Sequence, residues 1–184
     1  MSDTTPSTPD NNDNELIEPA SLRYNLDSLE DYFATSEQVA HEGRLDEAVD
    51  VMREAVKRFP ESPTGAYNLG VALFLRVKKD REHQEMWEDL ADDEQLAAEA
   101  ISALESAIEA DPKFVEAYNN LARLYSLTGR KAEAVACWKK SLEIKPDQPE
   151  VKSDLELYIN NIGPDEHVLD AKRLMDGDKP AAEI

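Results

Sequence analysis

Three times along the chain, an alanine is followed seven residues later by another small residue and five residues after that by proline. The sets are Ala48, Ala55, Pro60; Ala100, Ala107, Pro112; and Ala134, Ser141, Pro146. Four places after each first alanine stands a large apolar residue: Met52, Leu104 or Trp138. Upstream of each set runs a triplet at intervals of three and four: Tyr32, Thr35, Val39; Ala66, Leu69, Leu73; and Tyr118, Leu121, Tyr125. Such intervals put side chains on one face of a helix. The residue after each middle member is small: Ser36, Gly70 or Ala122. An amphipathic helix needs an apolar stripe, but a small residue inside the stripe means that another backbone comes close. The pattern predicts three helical hairpins, each unable to bury its apolar face alone, stacked into a continuous core.

These residues resemble the tetratricopeptide repeat family, whose unit of about 34 residues is helix, turn and helix with W-x2-L-G-x2-Y, A-x3-F and P. Residues 115–148 match almost place for place, with Gly129 at the turn. Residues 29–62 match with Gly43 at the turn and Thr35 where leucine is usual. Residues 63–114 match at both ends, but this unit has 52 residues, about 18 more than the family's. The implied fold is all-α: a superhelix of hairpins (an α-solenoid) closed by a C-terminal capping helix. Prolines 60, 112 and 146 mark unit ends because proline cannot continue a helix interior. Asp27 with Glu30 reads as a capping box opening the first helix.

The ends have a different composition. Residues 1–20 are acidic and rich in Ser, Thr, Pro, Asp and Asn, the signature of a disordered tail, and residues 21–28 lead into the first repeat. Residues 149–162 form a capping helix whose Leu155, Ile159 and Ile162 share a face; Glu156 occupies the small place, which speaks against a tightly packed partner helix. Residues 163–184 read as a short helix followed by a disordered tail.

From Val71 to Asp111 there is neither Gly nor Pro, so the expanded unit holds either an extended hairpin or an extra short helix over about 76–95. Leu90 to Asp93 is the expected turn, with Asp92 and Gln95 as a second capping box. Met86 and Trp87 stand among charges there. They either hold the hairpin tip together or form an exposed partner anchor, since tryptophan is enriched at binding hot spots.

The formal charge is −20, and only residues 115–148 carry a net positive charge. That balance disfavours nucleic acid and anionic membrane, which need clustered Lys and Arg. It provides solubility, and it also suits a basic or amphipathic partner. No apolar run is long enough to span a bilayer. The N-terminus lacks the basic and apolar regions of a secretory signal, and a single cysteine, Cys137, forms no internal disulfide. A cytoplasmic location is therefore expected, with Cys137 as a buried structural thiol.

Nothing in the sequence asks for a cofactor or metal: His41, His83 and His167 have no ligand-spaced neighbours, and no nucleophile elbow or phosphate loop is present. The expectation is a non-enzymatic protein-interaction module, an adaptor or assembly scaffold. In the family it resembles, the first helix of each hairpin lines a concave, segment-binding groove. Carried over, that groove presents Glu30, Phe33, Glu37 and His41; Tyr67, Asn68, Val71, Phe74 and Leu75; and Glu116, Asn119, Asn120, Arg123 and Leu127. Co-chaperones of the family clamp a C-terminal carboxylate with Lys, Asn, Asn, Lys and Arg. The matching places here hold Phe33, Glu37, Asn68, Glu116 and Asn120, so only Asn68 fits and a chaperone-tail clamp is disfavoured. The alternative is a small acidic chaperone for a client protein, similar to the tetratricopeptide chaperones of type III secretion, although their hairpins are not expanded.

Overall fold

The computed structural model describes residues 18–83 and 90–162. Among these residues the regular structure is helical: α1 (Ala20–Tyr24), α2 (Leu29–His41), α3 (Leu45–Arg58), α4 (Pro63–His83), α5 (Leu90–Ala110), α6 (Val115–Leu127), α7 (Lys131–Ile144) and α8 (Pro149–Ile162). Helices α2/α3, α4/α5 and α6/α7 form hairpins, α3 packs on α4, α5 on α6, and α8 on α7. The connections are short, so successive helices are antiparallel and α2, α4, α6 and α8 run in one direction.

The small residues sit where the hairpin arms meet. Gly70 lies against Leu104 and the backbone of Ala100. The Ser36 hydroxyl, buried at the equivalent place, donates to the Ala48 carbonyl at 3.1 Å. Ala122 is wholly buried, as are Ala134 and Ser141 on the opposing arm. The first and third hairpins turn through Gly43 and Gly129, at φ +83° and +77°. At each turn the next N–H closes the preceding helix: Arg44 onto the Val39 carbonyl at 3.0 Å and Arg130 onto Tyr125 at 2.8 Å.

Three details correct the sequence reading. The capping box is one residue further on: the Ser28 hydroxyl accepts from the Asp31 N–H, and the Asp31 carboxylate accepts from the Ser28 N–H. Serine and aspartate at these places reach each other's backbone with less chain than Asp27 and Glu30. Residues 90–93 are not a turn but the start of α5. The added residues go into the arms, since α4 and α5 have 21 residues each and the other hairpin arms 13 or 14. Finally, residues 18–20 belong to the ordered structure: Ala20 is buried as α1 packs along α3. Residues 1–17, the 163–184 segment, and Met86 and Trp87 lie outside the described residues.

Helix α1 is held by α3's carboxylates. Both oxygens of Glu54 accept from the Ser21 N–H, at 3.2 and 3.3 Å, and the Tyr32 hydroxyl donates to the same group at 3.1 Å. Arg23 pairs with Glu47 at 2.6 Å, and the Tyr24 hydroxyl donates to Glu47 as well.

Candidate functional site

The concave layer is built from α2, α4, α6 and α8, and its two halves differ. Between α2 and α4 lies an open cleft of about 610 Å³. Its floor is apolar: Phe33 and Ala40 of α2, Leu45 and Met52 of α3, and Val71, Ala72 and Leu75 of α4. Heptad-like spacing on α4 places Val71 and Leu75 on one line, with Asn68 a turn earlier. Glu37 and His41 form one rim, 3.9 Å apart and both mostly exposed, and Glu30 is exposed one turn before Glu37's neighbour Phe33. Lys78 and Lys79 stand at the opposite end of the cleft from Asn68. Arg76 pairs with Asp46, and the Lys79 ammonium donates to the Gly43 carbonyl at 3.3 Å, tying the long helix α4 to the first hairpin's turn.

The other half is closed by internal bonds. The Asn120 amide donates to the Tyr67 hydroxyl at 2.9 Å, and the Tyr67 ring packs on Phe114 with centroids 4.8 Å apart. Burial, reinforced by nearby Glu116, pushes the Tyr67 phenol above its ordinary value. Asn119 donates to Gln148 at 2.9 Å and accepts from the buried Ser141 hydroxyl, which in turn accepts from Gln148. Arg123 binds Asp154 of α8 through two nitrogens at 2.9 and 3.0 Å.

The fourteen groove residues read from the sequence therefore divide. Phe33, Glu37, His41, Asn68, Val71 and Leu75 line the cleft, with Glu30 beside it. Tyr67 and Asn120 bond to each other, Asn119 bonds to Gln148 and Ser141, and Arg123 pairs with Asp154 of α8, while Phe74 and Leu127 pack against the core and Glu116 is exposed on α6. Residues the sequence reading missed are Ala40, Leu45, Met52, Ala72, Lys78 and Lys79. Leu45 and Met52 come from a second helix, which the family analogy had assigned wholly to the core. The two lysines lie in the expanded segment, outside the alignable unit.

Cys137 is half-buried rather than buried, beside a shallower recess of about 450 Å³ on the other face that Glu105, Tyr125 and Glu133 also line. Burial and the two carboxylates push its thiol up to about 12, far from a nucleophile's range. Among the described residues no three His, Cys, Asp or Glu side chains gather as a metal set. Nor is any described helix long and apolar enough to cross a membrane.

Two family models, both described as tetratricopeptide repeat, match residues 41–85 and 93–155. Among curated proteins, the chain is 26% identical over 119 residues to the antiviral innate immune response effector IFIT1 of Homo sapiens, and 27% over 118 residues to that of Macaca fascicularis. These matches cover 63% and 62% of this chain but only a quarter of the relatives' length. Among solved structures, the first TPR of Spaghetti (RPAP3), bound to the HSP90 peptide SRMEEVD, superposes with a TM-score of 0.60 at 19% identity, covering 74% of this chain and 94% of that one. The Sgt2 TPR domain from Aspergillus fumigatus gives 0.57 at 16% identity, covering 85% and 87%. At such identities the superpositions speak for the fold alone.

Proposed function

Because the chain belongs to the tetratricopeptide repeat family, we propose that it is a non-enzymatic protein-interaction module that takes a partner segment in the cleft between α2 and α4. The observation that carries this reading is the asymmetry of the concave face: the α2–α4 half is open and apolar-floored, whereas the α6–α8 half spends its polar groups on internal bonds. An open cleft with an apolar floor favours a segment with an apolar stripe, through burial of its surface. Glu30 and Glu37 along one side favour basic residues flanking that stripe.

The HSP90 peptide bound by the RPAP3 domain is acidic. Here the clamp places hold Phe33, Glu37 and Glu116, and Asn120 already serves Tyr67, so an acidic tail lacks cationic partners. IFIT1 has been solved with Gppp-AAAA. A chain of charge −20 is a poor match for that kind of ligand, because phosphate binding needs clustered cations.

The test is a binding comparison by fluorescence anisotropy between basic amphipathic peptides and SRMEEVD. Basic amphipathic peptides are expected to bind, and Val71→Asp is expected to weaken them about tenfold, the effect of about 1.4 kcal/mol. Preferential binding of SRMEEVD, or indifference to Val71→Asp, overturns the reading.

A further inference from the structure

Resting on the reading of the α2–α4 cleft as a segment-binding site, we infer that its deepest part is the seat of one aromatic side chain of the partner. The segment it takes then carries a phenylalanine-like anchor with a basic residue close by. The array itself supplies the comparison, because the cleft can be matched place for place with the interface one hairpin further along, between α4 and α6.

Helices α2 and α4 are in register at Ser36 and Gly70, α4 and α6 at Gly70 and Ala122, and α3 and α5 at Ala48 and Ala100. By that register Ala40, which lines the cleft, has Phe74 as its counterpart, and Phe74 packs against the core. Ala72 on the opposite wall has Leu124, which is wholly buried. Leu45 of α3, half-buried at the cleft, has the buried Ala97 of α5. The floor residue Met52 has Leu104, of similar volume and equally buried. Arg123 stands at the place of Val71 but reaches away to Asp154 of α8, so it does not fill the α4–α6 interface.

The volumes can now be compared. Alanine for leucine at residue 72 is cancelled by leucine for alanine at residue 45. What remains is Ala40 in the place of Phe74, so the first interface is short of one phenyl ring. Helix packing leaves few voids of that size unfilled, and here the space opens into the cleft of about 610 Å³.

The surroundings suit a ring better than an aliphatic side chain. Phe33 lines the cleft at the place of Tyr67, whose ring packs on Phe114. Ser62 stands at the place of Phe114, and Phe33 has no ring partner among the described residues. An incoming ring can meet Phe33 edge-on or offset, and the Met52 thioether adds a sulfur–ring contact from the floor. Charge decides what stands beside the anchor. Glu37 precedes Ala40 by three residues on α2, about 4.5 Å along the helix axis. That is the rise of one or two residues of an extended segment. The Glu37 carboxylate is mostly exposed, 3.9 Å from His41, so a lysine or arginine next to the aromatic residue can reach it.

The experiment compares the fluorescein-labelled peptide KRSFSRK with its counterparts carrying alanine or leucine in place of phenylalanine, by anisotropy on the full chain. The phenylalanine peptide should bind at least about tenfold more tightly than the alanine one, with leucine between them. Ala40→Phe, which puts back the missing ring, should raise the urea midpoint and reduce the phenylalanine peptide to the affinity of the alanine peptide. Equal binding of the three peptides, with Val71→Asp weakening all of them, overturns the aromatic seat while leaving the cleft a segment-binding site. An unchanged preference for phenylalanine in Ala40→Phe overturns it too, and so does a lowered urea midpoint, since no ring-sized space would then exist. If none of the peptides binds the unsubstituted chain, the segment-binding reading of the cleft falls as well.

Discussion

A methyl group added at Gly70 would stand 2.6 Å from Cγ of Leu104 and 2.8 Å from its Cδ2, closer than carbon atoms approach without displacement. Gly43 is a different case: nothing lies within 4 Å of a Cβ there, but its φ of +83° disfavours any side chain. Gly70→Ala should therefore cost about 1–3 kcal/mol by overpacking, and Gly70→Leu more. Gly43→Ala should cost about 1–2 kcal/mol through backbone strain alone. Urea unfolding separates the two, because a small repacking substitution such as Leu104→Val should relieve Gly70→Ala and leave Gly43→Ala unchanged. Asn119 illustrates a polar version of the same dependence. Asn119→Ala leaves Ser141, which has no exposed surface, without its acceptor and should destabilise by about 1–3 kcal/mol. Asn68 donates only to the Thr64 carbonyl on its own helix, so Asn68→Ala should stay within about 0.5 kcal/mol in the same measurement.

At the scale of the element, α1 is five residues long and cannot be stable by itself, so its order comes from what α3 offers it. Burial works against the charge of Glu54, yet hydrogen bonds from Ser21 and Tyr32 outweigh it and hold the carboxyl below its ordinary value. The Tyr24 hydroxyl, and then Arg23 and Arg44, do the same for Glu47 against a smaller desolvation cost. A depressed folded-state pKa contributes stability that is present above the unfolded value and is lost as the pH falls through the folded one. Lowering the pH from neutral to below about 4, the ordinary carboxylate range, should thus release α1 before the hairpins open. Hydrogen exchange should show residues 20–26 losing protection first, and Glu54→Gln should reproduce part of that loss at neutral pH. Equal protection of α1 at both pH values would show that burial of Ala20 and Leu26, not the carboxylates, holds it.

Across the whole molecule, stacked hairpins touch chiefly their neighbours, so damage at one end should remain near that end. Helix α8 covers the last hairpin with Val151, Leu155 and Ile159, all buried, and Tyr158 packs edge-on against Trp138 with centroids 5.2 Å apart. Leu155→Ala should cost about 2–5 kcal/mol locally. Its effect on hydrogen exchange should be largest in α7 and α8, weaker in α6, and small in α2 and α3. A uniform loss of protection from α2 to α8 would mean that the array unfolds as a single cooperative unit.

The hairpins, their order and their contact points were legible from residue spacing alone. A helix pair can close to contact only where side chains are small, and Gly70, Ala122 and Ala134 announce those places without knowledge of any neighbour. Fine local detail was less legible: Asp27–Glu30 and Ser28–Asp31 are both plausible boxes, and which one forms depends on where the chain arriving from α1 turns. With no Gly or Pro between Val71 and Asp111, nothing local distinguished a turn at Leu90 from a helix beginning there. The division of the concave face was not legible at all. Asn68 and Asn120 hold equivalent places, and so do Val71 and Arg123, yet one of each pair borders an open cleft and the other is bound. Their fates are set by Tyr67 and Asp154, which the packing of other helices brings within hydrogen-bonding distance from 53 and 31 residues away in sequence. Periodicity reports which face a residue occupies, whereas only the packed structure determines which distant groups meet it there.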